Sequence, residues 1–137
     1  MGETKVKITA DTNVLIRAVV QDDPHQARQA TKILRDADLI AVPVPVLCEF
    51  VWVLRSGYKK PVPEVSDAIH RLIRSAKVVT NRPAVEAGLS VLDAGGDFVD
   101  GAIAHEGEWL GAEEFVSFDV KAVSVLQSQS TRARLLS

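Results

Sequence analysis

The chain has 137 residues, 47% of them hydrophobic, which is enough apolar material for one domain-sized core and leaves no room for a second. Sixteen lysines and arginines against eighteen aspartates and glutamates give a formal charge of −2, so no whole-molecule basic field marks a nucleic-acid binder and any such contact has to be local. The single cysteine, Cys48, excludes an internal disulfide and a cysteine-built zinc site within one chain, and fits a reducing compartment.

The N-terminal run Met1-Gly2-Glu3-Thr4-Lys5-Val6 has no apolar signal core, and Val6 stands where a myristoylation motif wants Ser or Thr. No apolar run is long enough to span a membrane, and the expectation is a cytoplasmic protein.

Short β-branched runs alternate with longer amphipathic ones, the pattern of a parallel sheet covered by helices on both faces. Residues 6–10 predict a first strand, and 13–20 a short helix that ends in the polar turn Gln21-Asp22-Asp23-Pro24. Asp23 and Pro24 suit the N-cap and first position of the next helix, 24 to about 36, which is apolar at Ala27, Ala30, Ile33 and Leu34. A second strand, 39–42, leads into a helix over roughly 45–55 that is apolar almost all round and is expected to be buried. Gly57 stops it, and Pro61 and Pro63 open a helix to about 75 with Val65, Ala68, Ile69, Leu72 and Ile73 at helical spacing. Residues 77–80 form the third predicted strand.

Arg82-Pro83 starts a helix to about 92, and Gly95-Gly96 breaks it before a further helix over 98–109. Residues 115–118 predict the fourth strand and 119 to about 126 the last helix. The tail, 127–137, suits an edge strand, a partner contact or a frayed end equally. With no repeat and no low-complexity segment, the expected fold is a three-layer α/β/α sandwich with a mainly parallel central sheet, in a single domain over 1–137.

Asp11, Asp97, Asp100 and Asp119 all lie at or near predicted helix starts, where N-capping or the helix dipole explains any one of them alone. Topology points further. Right-handed crossovers put the carboxyl ends of parallel strands along one edge, where ligands of open α/β folds bind. Asp11 follows strand one, Asp119 follows strand four, and the helices carrying Glu49 and Asp100 begin at that edge, so four carboxylates are expected to converge.

Glu49 has Val46, Leu47, Cys48, Phe50, Val51, Trp52, Val53 and Leu54 for neighbours, and an unpaired carboxylate there costs several kcal/mol or is forced to protonate. A cation removes that cost, and an ion pair with Arg17 or Arg55 is the structural explanation beside it. Without metal, crowding is expected to raise the pKa of at least one acid, Glu49 first. An all-oxygen site of this kind selects Mg²⁺ or Mn²⁺ rather than zinc, and phosphodiester hydrolysis is the reaction it most naturally serves.

Four pieces of sequence carry a resemblance: Thr9-Ala10-Asp11-Thr12-Asn13 after an apolar strand, Glu49 inside an apolar helix, Asp97-Phe98-Val99-Asp100-Gly101-Ala102-Ile103-Ala104, and Ser117-Phe118-Asp119. In their order and spacing the chain resembles the PIN-domain nucleases and, within them, the VapC toxins of bacterial VapBC toxin–antitoxin pairs, over nearly its whole length. The resemblance implies a metal-dependent endoribonuclease in which Asp11, Glu49 and Asp100 hold the principal ion and Asp119 is a more peripheral ligand. Thr12 and Ser117 would be supporting hydroxyls, and Asp97 either an accessory acid or a helix cap. It also implies an RNA substrate, a homodimer, and a VapB-type antitoxin that blocks the pocket. Gly101, where a bulkier residue is common, and Ser117, where Thr is commoner, depart from the pattern.

Two rival classes stand beside this. A receiver-like Mg²⁺-binding signalling domain wants paired acids after strand one and an acceptor Asp after strand three, where this chain has one acid and Thr80-Asn81. A catalytically inactive PIN-fold binding module is the other. His25, His70 and His105 lack metal-ligand spacing and read as surface residues, with His105, on the Asp100 helix, the one placed to reach the site, while Trp52 and Trp109 sit at apolar helix positions and read as core rather than as base-stacking platforms. Lys59, Lys60, Arg71, Arg74, Lys77 and Arg82 are candidates for a local phosphate-binding patch, with solvated surface charge as the plainer reading.

Overall fold

Short strands and longer helices alternate along residues 6–137, which a computed structural model describes; residues 1–5 of the N-terminal run read above for targeting lie outside the described residues. The chain divides into two units, 1–81 and 82–137.

In the first unit β1 (Lys7–Thr9), β2 (Leu39–Ala41) and β3 (Val78–Val79) form a parallel sheet in the order β1-β2-β3, with Ile8 opposite Ile40 and Ile40 opposite Val78. Parallel neighbours require a crossover of a dozen residues or more. Helices α1 (Thr12–Val20) and α2 (Pro24–Asp36) supply the first, and α3 (Val44–Trp52), a π-helical turn (Val53–Gly57) and α4 (Val62–Arg74) the second. Leu15, Ile16, Leu47, Phe50, Val65 and Ile69 form its core, each at most 2% exposed.

Local signals account for the boundaries. The Asp23 side chain accepts a hydrogen bond from the Gln26 N–H with Pro24 at the first helical position, and Gln21 takes a left-handed conformation (φ 59°) that closes α1. Arg17 on α1 donates to Asp22 (3.1 Å), Gln26 (2.7 Å) and the Tyr58 hydroxyl (3.1 Å), and that hydroxyl donates to Asp22 (2.9 Å). The Tyr58 bond, and then the Arg17 charge, hold the Asp22 carboxyl below the ordinary carboxylate range.

Two expectations for these helices do not hold. On α2 only Ala27 and Ala30 are buried, and Ile33 is 41% exposed. Helix α3 is not buried all round. Leu47, Phe50 and Val51 face inward, whereas Pro45, Glu49 and Trp52, spaced i, i+4 and i+7, lie on its exposed side, with Trp52 67% exposed. Apolar composition set the expectation, but a single nine-residue helix packing on α1 has one covered face.

The second unit holds α5 (Arg82–Asp93), α6 (Phe98–Trp109), β4 (Phe115–Ser117), α7 (Val120–Ser128) and β5 (Ala133–Leu135). Strands β4 and β5 pair in parallel with Val116 opposite Arg134, which selects the edge strand among the three readings of the tail. Val91, Ala104 and Leu126 are buried together, with Phe115, Val125 and Ala133 packed against them. Trp109 is not a core residue. It ends α6 at 81% exposure, followed by Leu110 at 73%, because helical spacing assigns a residue to a face but supplies nothing opposite that face. No helix among the described residues is long and apolar enough to cross a membrane.

Gly95 (φ 94°) makes the turn between α5 and α6, and two further glycines let the helices approach closely. A Cβ on Gly88 would stand 2.6 Å from the Phe98 ring, and one on Gly101 would meet the Ala87 carbonyl oxygen and lie 2.9 Å from the Gly88 Cα. Backbone cannot yield as a side chain can, so the departure at Gly101 has a packing reason in this chain. Gly101→Ala is expected to destabilise by roughly 1–3 kcal/mol through overpacking. Urea unfolding should show a lower midpoint at unchanged slope, and a wild-type midpoint would show that the two helices have room to separate.

Candidate functional site

In the first unit, Asp11 occupies the N-cap position of α1 with extended backbone (φ −77°, ψ 160°), yet its side chain makes no capping hydrogen bond. The carboxylate is exposed and left for other partners. Thr12 is 4% exposed, and its hydroxyl donates to Glu49 Oε2 at 2.8 Å, joining the start of α1 to the second turn of α3.

Glu49 is exposed, so the expected burial among apolar neighbours is overturned: Leu47, Phe50 and Val51 take the covered face of its helix, and Glu49 lies on the exposed side with Trp52. The alternative ion pairs are absent among the described residues as well. Arg17 serves Asp22, Gln26 and Tyr58, and Arg55 donates to the Lys60 carbonyl at 2.9 Å.

In the second unit, Asp97 stands at the N-cap position of α6 (φ −95°, ψ 132°) and makes no capping hydrogen bond, so capping does not account for its side chain. Asp100 lies in the first turn of the same helix. Asp119 is a cap: its Oδ1 accepts from the Lys121 N–H (2.9 Å) and the Ala122 N–H (3.1 Å) at the start of α7. Its own N–H donates to Ser117 Oγ at 2.9 Å, which fixes the turn out of β4.

Asp100 is half-buried, and burial pushes its carboxyl above the ordinary value, with the negative charges of Asp97 and Asp119 adding to the shift. The desolvation expected at Glu49 is met here instead, where α6 lies closely on α5.

The predicted acids thus fall into two groups, Asp11 and Glu49 with Thr12, and Asp97, Asp100 and Asp119 with Ser117. Among the described residues no three His, Cys, Asp or Glu side chains are arranged to hold a metal ion. The donor chemistry suits a hard divalent cation nonetheless: every donor is oxygen, and two of the carboxylates, Asp11 and Asp97, are without the helix-capping bonds that would occupy them. His25 and His70 are exposed, and His105 lines a pocket of about 200 Å³ that none of these acids lines.

Three of the six basic residues singled out in the sequence are engaged. Lys60 pairs with Glu64 (3.8 Å), Arg71 with Asp67 (2.9 Å), and Lys77 donates to the Arg35 carbonyl (2.6 Å). Sequence reasoning passed over the exposed cations of α2, Arg28, Lys32 and Arg35, although their i, i+4, i+7 spacing was a usable signal.

The state of Asp100 leads to a pH test. A carboxyl whose pKa is higher in the folded than in the unfolded chain costs stability once ionised, so stability should fall as pH rises from the unfolded value through the folded one and level off above it. Metal-free Asp100→Asn is therefore expected to melt higher than wild type at neutral pH and to lose that fall. Identical pH dependence of the two melting temperatures would refute the assignment.

No curated protein sequence matches the chain. The model of the PIN domain matches residues 8–123, most of the chain, and the match contains Asp11, Thr12, Glu49, Asp97, Asp100, Ser117 and Asp119. With parallel strands, seven α-helices among the described residues, and that match running through both units, the chain belongs to the PIN-domain family.

Proposed function

We propose that this PIN domain, acting as a single domain over 1–137, is a metal-dependent endoribonuclease in which Asp11, Glu49 and Asp100 are the principal ligands of Mg²⁺ or Mn²⁺. Asp119 is the peripheral ligand, Thr12 and Ser117 are supporting hydroxyls, and Asp97 is an accessory acid. PIN domains are generally metal-dependent nucleases. The observation that supports the assignment in this chain is that Asp11 and Asp97 stand at helix N-cap positions without side-chain capping bonds, so capping does not explain their side chains.

The ion, when bound, stabilises charge developing on the phosphodiester and lowers the pKa of water. The chain's own residues prepare for it. The Thr12 hydroxyl spends its proton on Glu49 Oε2, which holds the carboxylate in one orientation and leaves Oε1 available. Asp119 commits Oδ1 to two backbone N–H groups, which leaves Oδ2 and suits a peripheral role. Asp100 has to lose its proton before it can bind a cation, so metal affinity should strengthen as pH rises through its raised value.

The same reading makes the chain the toxin of a VapBC-type pair, homodimeric and held inactive by a VapB-type antitoxin, and puts it in the cytoplasm, where RNA is at hand and the Cys48 thiol stays reduced. The motif run Asp97 to Ala104 and the Ser117-Phe118-Asp119 triplet support this narrower assignment by their resemblance to VapC toxins.

RNA cleavage with Mn²⁺ or Mg²⁺ is expected to disappear with EDTA, and Mn²⁺ should raise the melting temperature of the folded protein. Asn carries no charge for a cation but caps a helix about as well as Asp. Asp11→Asn, Asp100→Asn and Glu49→Gln should therefore fold normally by circular dichroism and lose more than the roughly 10–100-fold that outer-shell changes cost. Asp119→Asn should lose less. Wild-type cleavage by well-folded Asp11→Asn and Asp100→Asn would overturn the proposed site.

A further inference from the structure

A local charge imbalance of the first unit lies along α2. An open groove of about 510 Å³ there is lined by Gln21, Arg28, Thr31, Lys32 and Arg35 among others, and its lining contains three cations and no acid. A second groove of the same unit, about 280 Å³, is lined by Lys60, Glu64, Asp67 and Arg71, where each cation has an acid four residues away. That groove is neutral.

Around the α2 groove, Asp36 pairs with Lys32 (2.6 Å) and Arg35 (3.2 Å), pairs in which the two cations remain 69% and 68% exposed. Exposed pairs of this kind are weak and screened by salt, so a phosphate can compete with Asp36 for both cations. Asp22 and Asp23 flank the groove at the start of α2, Asp22 paired with Arg17 and Asp23 capping the helix, and Arg28 has no ion pair among the described residues. Three lining cations with no lining acid, on a chain of net charge −2, form the local basic surface that composition required of any nucleic-acid contact.

Arg28, Lys32 and Arg35 at i, i+4 and i+7 span ~10 Å of one helix face. The polar lining residues Gln21 and Thr31 add donors of the kind that hold phosphate oxygens. From these features we infer that the α2 groove tracks the phosphate backbone of the RNA substrate, an inference that rests on the nuclease reading above.

The groove is not at Asp11. Gln21 closes the far end of α1 from Asp11, and a nine-residue helix separates them by ~13 Å. The groove therefore holds nucleotides remote from Asp11, and its contribution is to affinity for a long strand, through cations whose effect depends on salt.

The test is fluorescence anisotropy of labelled single-stranded oligouridine in EDTA, where nothing is cleaved, at several salt concentrations. The double variant Arg28→Gln/Lys32→Gln is expected to bind several-fold more weakly, with a salt dependence shallower by about 0.7 for each cation removed. Lys60→Gln/Arg71→Gln, in the neutral groove, should bind as wild type does. Melting curves establish that each variant is folded. An unchanged affinity and salt slope in the Arg28/Lys32 variant would overturn the groove, as would displacement of the RNA by polyglutamate at equal charge concentration, which would assign the surface to acidic protein. Absence of cleavage with Mn²⁺ while groove-dependent binding persists would sink the nuclease reading alone, so the two failures are distinguishable.

Discussion

Every strand ladder among the described residues is parallel, and a parallel pair cannot be closed by a tight turn. The chain must leave each strand at one end and travel back along a helix before the next can pair. With strands of only two or three residues, the ladders contribute few hydrogen bonds, and the helices carry most of the burial. The connection from a strand end to a helix start is then short. In this chain acids occupy two such connections: Asp11 lies between β1 and α1, and Asp119 between β4 and α7.

Helix starts have four N–H groups without intrahelical partners, and an Asp there ordinarily supplies an acceptor. Asp119 does so with two hydrogen bonds. Asp11 and Asp97 have the backbone of an N-cap without its side-chain bond. The difference separates a carboxylate used in folding from carboxylates the fold leaves available. Around Asp100 the arrangement works against stability, since a half-buried acid beside two like charges is pushed toward its protonated form. Retaining such a group makes physical sense where a cation binds, because binding removes the repulsion that the folded chain otherwise carries.

Gly88 and Gly101 bear on the same point from the side of packing. Without side chains there, α6 lies closely on α5, Phe98 covers Gly88, and the first turn of α6, with Asp100 on it, is drawn into a partly desolvated position. In the first unit the corresponding device is polar. The buried Thr12 hydroxyl ties Glu49 on α3 to the start of α1, and the Arg17–Tyr58–Asp22 bonds fasten the far end of α1 to the turn that leads into α2 and to the residue that follows the π-helical turn.

Much of this was determined by the sequence alone, because it depends on local chemistry. Asp23-Pro24 started α2, Gly95-Gly96 separated α5 from α6, and the span 98–109 came out residue for residue, since caps and breakers act within a turn of where they stand. The positions of Asp11 after β1 and of Asp119 after β4 were legible for a similar reason, as parallel topology turns positions after strands into positions near a sheet edge. Only the tertiary structure decided which face of α3 is covered, and it exposed Glu49 and Trp52 where apolar composition had buried them. It also decided which Asp caps its helix, a choice of side-chain rotamer that one-letter identity cannot carry. The tail's pairing with β4 and the tight α5–α6 contact at Gly101 were likewise beyond local reading, because both depend on what lies opposite a residue in space.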